Sequence, residues 1–255
     1  MSTAWDPDRY LKFREERRRP YLDLVALVRR VPGMRIVDLG CGPGELTADL
    51  AERFDAASVV GVDNDVAMLA RARSFASPRV SFVEAELDAY PLHDFDLAFS
   101  NAALHWLPDH EALFTRLRNG LAPGGQLAAQ MPNNFAQPTH TIALELASEP
   151  PFCDVLTERR SGAAVLTAER YATLLHELGF TLQTVREHVY VHELPDASHA
   201  VEWVRGSMLT WYEARLGTDL FAEFLRRYEQ RLVAALGPAQ PFPFTYRRIL
   251  LWARL

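Results

Sequence analysis

The chain has 255 residues and a formal charge of −6, with 49% hydrophobic and 24% charged side chains, an ordinary globular composition for one domain or one domain with a sizeable insertion. The acidic balance argues against a nucleic-acid binder, because neutralising phosphates needs Lys and Arg in excess. Cys41 and Cys153 fall outside any CxxC pair or zinc spacing, no run of about 18 apolar residues occurs, and "MSTAWDPDRYLKF" lacks an apolar signal core, so the expectation is a cytoplasmic protein with no structural metal and no membrane segment. A monomer is the expected state, although none of these features fixes it.

In chain order, "DPDRYLKFREERRRPYLDLVALV" predicts two short helices meeting at Pro20, which restricts the backbone of Arg19. Leu22, Val25, Leu27 and Val28 are the expected apolar face of the second. "MRIVDL" predicts a buried strand, "ELTADLAERF" a helix with Leu46, Leu50 and Phe54 on one side, "SVVGVD" a strand and "VAMLARARSF" a helix. "VSFVEA" and "FDLAFSN" follow as strands, then "DHEALFTRLRNGL" as a helix started at Pro108 or Asp109 and stopped near Gly120, then "GGQLAAQM" as a strand. Continuously apolar strands alternating with helices predict a doubly wound, mostly parallel sheet covered on both faces. Beyond Met131 the rhythm breaks. "PNNFAQPTH" is expected as loop and "TIALELA" as a short helix; "TAERYATLLHELGF" is a helix capped by Thr167 and stopped by Gly179. "TLQTVREHVYVHEL" and "FPFTYRRILLWARL" read as strands enclosing a helical cap over residues 197–236, which suggests an antiparallel pair added to the sheet.

The chemistry centres on "IVDLGCGPG". A glycine-rich turn between the first strand and the first helix after it lies at the carboxyl edge of such a sheet, where doubly wound folds bind ligands. A dinucleotide fingerprint would read GxGxxG, but here Gly40, Gly42 and Gly44 alternate and Glu45 opens the helix, where it would repel a pyrophosphate. A cofactor without phosphate meets no such repulsion. A plain strand-to-helix turn is the other reading of these residues. Asp63 ends the next strand, where an acid can accept both hydroxyls of a ribose.

The set Asp38, Gly40, Gly42 and Gly44, followed by Asp63, by Glu86 and Leu87 in "FVEAEL", and by Asn101 in "FDLAFSNAALHWL", resembles the class I S-adenosylmethionine-dependent methyltransferases. The resemblance implies a Rossmann-like seven-stranded sheet with N-terminal helices and a helical cap inserted before the last strand. It implies S-adenosylmethionine as cofactor and S-adenosylhomocysteine as product. Asp38 would lie near the cofactor's ammonium, the glycines under its methionine and ribose with no room for larger side chains, Asp63 at the ribose, Glu86 and Leu87 at the adenine, and Asn101 under the methionine part.

"NAALHW" after the fourth strand is unlike the "NPPY"-type stretch of enzymes that methylate exocyclic base nitrogens, and no aromatic base-flipping stretch follows. His105 reads as a general base, as a residue packed beside Trp106, or, between these, as a group that orients or bonds the substrate; Trp106 is itself a candidate pocket wall. Arg14, Arg17, Arg18 and Arg19 read either as a solvated charged face or, in a helix over the acceptor pocket, as guanidinium forks for carboxylates; Arg248 is a further candidate. "WDPDRYLKFREERRRP", "VDLGCGPG", "NAALHWLPDH", "QMPNNFAQPTH" and "VEWV" together are similar to the trans-aconitate 2-methyltransferases. That similarity implies a small polycarboxylate substrate, a monomethyl ester product, and cofactor or pocket roles for Tyr10, Arg17, Arg19, His105, Asn133, His140 and Arg248. The expected layout is a single domain over 1–255, with a cofactor-binding core at 34–131 and acceptor-covering segments at 1–30, 132–165 and 197–240. Methylation of another small metabolite, on oxygen or carbon, is the alternative.

Overall fold

The computed structural model describes residues 14–157, 165–206 and 208–255. Seven strands form one sheet: β1 (Arg35–Leu39), β2 (Ser58–Asp63), β3 (Val80–Glu84), β4 (Phe95–Asn101), β5 (Leu121–Pro132), β6 (Leu182–Leu194) and β7 (Phe242–Arg254). Their order is β3-β2-β1-β4-β5-β7-β6. β1 through β5 pair in parallel, and β7 runs antiparallel to β5. The order reverses between β1 and β4, so the connections leaving the carboxyl ends of those two strands run to opposite faces of the sheet, the position at which doubly wound folds bind ligands.

The described residues fall into two compact units. One holds 19–132, 165–188 and 248–255; the other holds 14–18, 133–157, 189–206 and 208–247. β6 and β7 run from one into the other along their length.

In the first unit both faces of the sheet are covered, because alternate residues of each apolar strand point to opposite sides. Ile36, Leu97, Phe99, Ala128, Leu250 and Trp252 pack with Tyr21 and Leu24 of α1 (Arg14–Val25) and with Leu50 and Phe54 of α2 (Glu45–Phe54). Val37, Ala98, Leu127, Ala129 and Leu251 pack with Phe114 and Leu117 of α4 (His110–Asn119) and with Leu174 and Leu175 of α6 (Ala168–Glu177). α3 (Val66–Ala72), capped by the Asp65 carboxylate, follows β2. The second unit is helical apart from its strand segments. α5 (Pro138–Ala147), α7 (His199–Arg205) and α8 (Thr210–Leu236) share a core that includes Leu146, Trp203, Tyr212, Phe224 and Tyr228. The Tyr228 hydroxyl donates to the Thr139 carbonyl at 2.8 Å, satisfying one buried polar group with another.

Two local expectations are corrected. Pro20 does not divide two helices within the described residues; it lies inside the single helix α1, while the stretch before residue 14 is outside the description. Pro20 is buried beside Tyr21, so packing outweighs the lost helix hydrogen bond. The buried face is Tyr21, Leu24 and Val28, whereas Leu22 is 37% exposed and α1 ends at Val25. Likewise α5 begins at Pro138, inside the segment expected as loop, because a proline in the first turn of a helix sacrifices no hydrogen bond.

Candidate functional site

β1 leaves the sheet at Leu39, and the chain turns back on Gly40, Gly42 and Gly44 at φ values of 79°, 55° and 83°. All three are left-handed, a region that side chains with a Cβ rarely enter. The neighbours differ. A Cβ on Gly40 would stand 2.0 Å from the Ala103 Cβ, and one on Gly44 would stand 2.7 Å from the Ala72 Cβ. One on Gly42 would meet nothing within 4 Å. At the outer two the protein's own packing by itself excludes a side chain. Gly42 alone borders open space.

Acids surround this turn. The Asp63 carboxylate accepts from the Gly42 N–H at 2.8 Å through Oδ2 and from the Asp65 N–H at 2.9 Å through Oδ1, so it braces the turn from β2. Asp38 on β1 is buried, and the Thr47 hydroxyl donates to its Oδ2 at 2.6 Å. Burial pushes the Asp38 carboxyl up to about 7; the Thr47 hydrogen bond opposes the rise, and the neighbouring Asp63 charge adds to it. A cation brought to this spot would recover much of that cost. Glu45 is the first residue of α2, so its carboxylate sits at the helix N-terminus.

Further along the sheet edge, the Asn64 amide donates to Glu86 Oε2 at 3.0 Å. Leu87, partly buried, has its carbonyl bound by the Arg116 guanidinium, which also donates to the Tyr90 carbonyl at 2.7 Å. Arg116 thereby clamps the loop after β3, a role that helix periodicity alone does not reveal. Asn101 ends β4, and its side-chain oxygen accepts from Gln130 Nε2 at 2.6 Å. Gln130 Oε1 accepts from Arg248 Nη1 at 2.8 Å. The only sign of Gln130 in the sequence is an amide in the apolar run "LAAQM".

His105 and Trp106 lie in the single turn Leu104–Trp106 after β4, with ring centroids 4.7 Å apart. Trp106 is 63% exposed. The turn is held from below by His110, another residue the sequence did not single out. Its Nε2 donates to the Leu104 carbonyl at 3.0 Å, which leaves Nδ1 to accept from the Tyr171 hydroxyl. Burial holds the His110 imidazole below its ordinary range.

The remaining candidates belong to different units or lie outside the described residues. Arg19 is exposed on α1; the side chain of Arg17 and all of Tyr10 lie outside the described residues. Asn133 and His140 belong to the second unit. There the Asn133 N–H donates to the Arg247 carbonyl, and the His140 ring stands edge-on to Phe135 in the first turn of α5.

Residues 36–125 match the model of a methyltransferase domain. The chain is 41% identical over 258 residues to trans-aconitate 2-methyltransferase of Methylobacterium nodulans, covering 98% of both. It is 39% identical to the enzyme of the same name from Deinococcus radiodurans, again with 98% of both covered. The chain belongs to the trans-aconitate 2-methyltransferase family. Solved structures give the fold alone. Phosphoethanolamine N-methyltransferase 2 of Haemonchus contortus, in complex with S-adenosyl-L-methionine, superposes with a TM-score of 0.54 at 18% identity, over 92% of this chain and 52% of that one. The YcgJ protein of Bacillus subtilis superposes with a TM-score of 0.60 at 15% identity, over 92% and 96%. As in other class I methyltransferases, the sheet of this family member is seven-stranded with β7 antiparallel.

Proposed function

We propose that the protein transfers a methyl group from S-adenosylmethionine to one carboxylate of trans-aconitate, releasing the monomethyl ester and S-adenosylhomocysteine. The kinship over 98% of the chain carries this reading, since it extends well beyond the cofactor motifs. The site chemistry supports it. Open space over Gly42, the buried acid Asp38 and the anchored acid Asp63 suit a cationic nucleoside better than a diphosphate. When bound, S-adenosylmethionine supplies a methyl group already activated on a positive sulfur. Asp38, Gly40, Gly42, Gly44, Asp63, Glu86, Leu87 and Asn101, with Tyr10, would hold it.

A carboxylate acceptor is ionised at neutral pH, so the chain need supply no base. His105 then orients the acceptor beside Trp106. Guanidinium groups grip spectator carboxylates in fork geometry, the task assigned to Arg17, Arg19 and Arg248; Asn133 and His140 are assigned further polar contacts. The reacting carboxylate is best left without a tight ion pair, which would lower its nucleophilicity. Opposite charges meet and cancel in the transfer, so excluding water favours the transition state. Residues 34–131 are assigned to cofactor binding, and 1–30, 132–165 and 197–240 to acceptor recognition, within one catalytic domain. No helix among the described residues is long and apolar enough to cross a membrane. The reading includes a cytoplasmic monomer acting on a small molecule.

The test is competition among trans-aconitate, cis-aconitate and citrate for methyl label from the donor. The highest kcat/KM is expected on trans-aconitate. Preferential labelling of another acid would replace the substrate, and no labelling of any acid would overturn the reading.

A further inference from the structure

Asn101 and Gln130 sit opposite each other in the parallel ladder of β4 and β5, and Arg248 enters from β7. All three belong to the first unit. Gln130 is 1% exposed and Arg248 9%. The direction of the hydrogen bonds between them is fixed by chemistry. A guanidinium can only donate, so the amide oxygen of Gln130 must face Arg248. Its NH2 must then face Asn101, whose oxygen accepts. The relay therefore ends on the Asn101 NH2, which has hydrogens left to give. Gln130 also holds the backbone there: its carbonyl accepts from the Ala102 N–H at 2.9 Å, and Ala102 stands at φ 58°, left-handed.

We propose that Gln130 is a positioning residue that fixes the Asn101 carboxamide as a donor toward a ligand carboxylate. An asparagine left to itself offers either end. Arg248, relayed through Gln130, removes that choice and presents a donor at the carboxyl end of β4. The chemistry recognised is a carboxylate oxygen, which both the methionine part of the cofactor and the acceptor possess. The choice of these two ligands rests on the methyl-transfer reading above.

Two variants separate positioning from a merely structural role. Gln130→Met removes the relay and leaves the Arg248 charge without its amide partner. Gln130→Glu keeps an acceptor for Arg248 but has no donor for Asn101, so Asn101 must turn its NH2 inward and its oxygen toward the ligand. A structural role makes the Met variant the weaker binder; positioning makes the Glu variant weaker. By calorimetry, Gln130→Glu is expected to lose about 10- to 100-fold affinity for its carboxylate ligand, the scale of a charged hydrogen bond. Gln130→Met should lose less.

Loss toward S-adenosylhomocysteine with unchanged binding of its decarboxylated analogue, which keeps the ammonium and lacks the carboxylate, assigns the contact to the cofactor. Loss toward trans-aconitate, titrated into the S-adenosylhomocysteine complex, assigns it to the acceptor. On an Asn101→Ala background the Glu substitution should change affinity less than about threefold, because its effect passes through Asn101. A Glu variant no weaker than the Met variant, or a full Glu effect without Asn101, overturns the proposal while leaving the methyl-transfer reading intact. A parent protein that binds neither ligand overturns both.

Discussion

Asp38 shows how one buried side chain couples ligand binding to pH. The native carboxyl keeps its proton to about 7, whereas an unfolded aspartate gives it up near about 4. The raised value adds stability to the empty fold at acid pH, and that contribution is lost as pH rises through about 7. A ligand ammonium beside Asp38, such as that of S-adenosylhomocysteine, prefers the ionised carboxyl, so its binding below pH 7 should release a proton. Calorimetry at pH 6 in two buffers of different ionisation enthalpy is expected to show release approaching one proton per S-adenosylhomocysteine, with affinity falling up to about tenfold per pH unit below 7. Asp38→Asn should bind more weakly and lose this linkage; identical proton release in the variant would assign the effect to another group. The glycines divide in the same spirit. Gly40→Ala is expected to lower Tm sharply, since its methyl would overlap Ala103. Gly42→Ala should cost only about 1–2 kcal/mol of left-handed strain yet cut cofactor affinity at least tenfold. Comparable affinity in Gly42→Ala and parent would mean that no ligand approaches that backbone.

Among elements, the turn carrying His105 depends on α4 and α6 through the His110–Tyr171 pair. Tyr171→Phe removes the hydroxyl shared by His110 and the Leu166 N–H and should cost about 1–3 kcal/mol. His110 is held below its ordinary pKa by burial. The unfolded chain therefore takes up the proton first as pH falls through about 6.5, and the native state loses stability there. The Tm advantage of the parent over His110→Gln should shrink between pH 7.5 and 5.5; a constant gap would mean that His110 does not titrate differently on folding. Local signals made the ends of these elements legible. Asp109 and Gly120 bound α4, and the Thr167 hydroxyl caps α6, which stops before a left-handed Gly179. The alternating glycines, Asp38 within β1, Asp63 at the end of β2 and Asn101 at the end of β4 were legible too, because each is marked by its place at or beside a strand end. Pro20, Gln130, Arg116 and His110 were not. What Gln130, Arg116 and His110 do depends on partners tens of residues away, Asn101 and Arg248 for the first, the Leu87 and Tyr90 carbonyls for the second and Tyr171 for the third, whereas Pro20 is tolerated because its own helix face is buried.

For the molecule as a whole, the strand order fixes where ligands can meet. The reversal between β1 and β4 places the glycine turn and Asn101 at one sheet edge, and the antiparallel β7 adds Arg248 there through Gln130. In the proposed reading, cofactor and acceptor recognition draw on different side chains. Arg19→Ala is expected to raise the KM for trans-aconitate about 10- to 100-fold, the loss of one charge-assisted contact, with S-adenosylhomocysteine affinity unchanged. An equal fall in both would place Arg19 in the cofactor site. The most direct measurement is carbon NMR of the reaction with donor labelled in its sulfonium methyl group and trans-aconitate as acceptor. One new ester methyl signal is expected, growing in step with S-adenosylhomocysteine; label on carbon, or donor left intact with trans-aconitate unmodified, would contradict methyl transfer to a carboxylate oxygen.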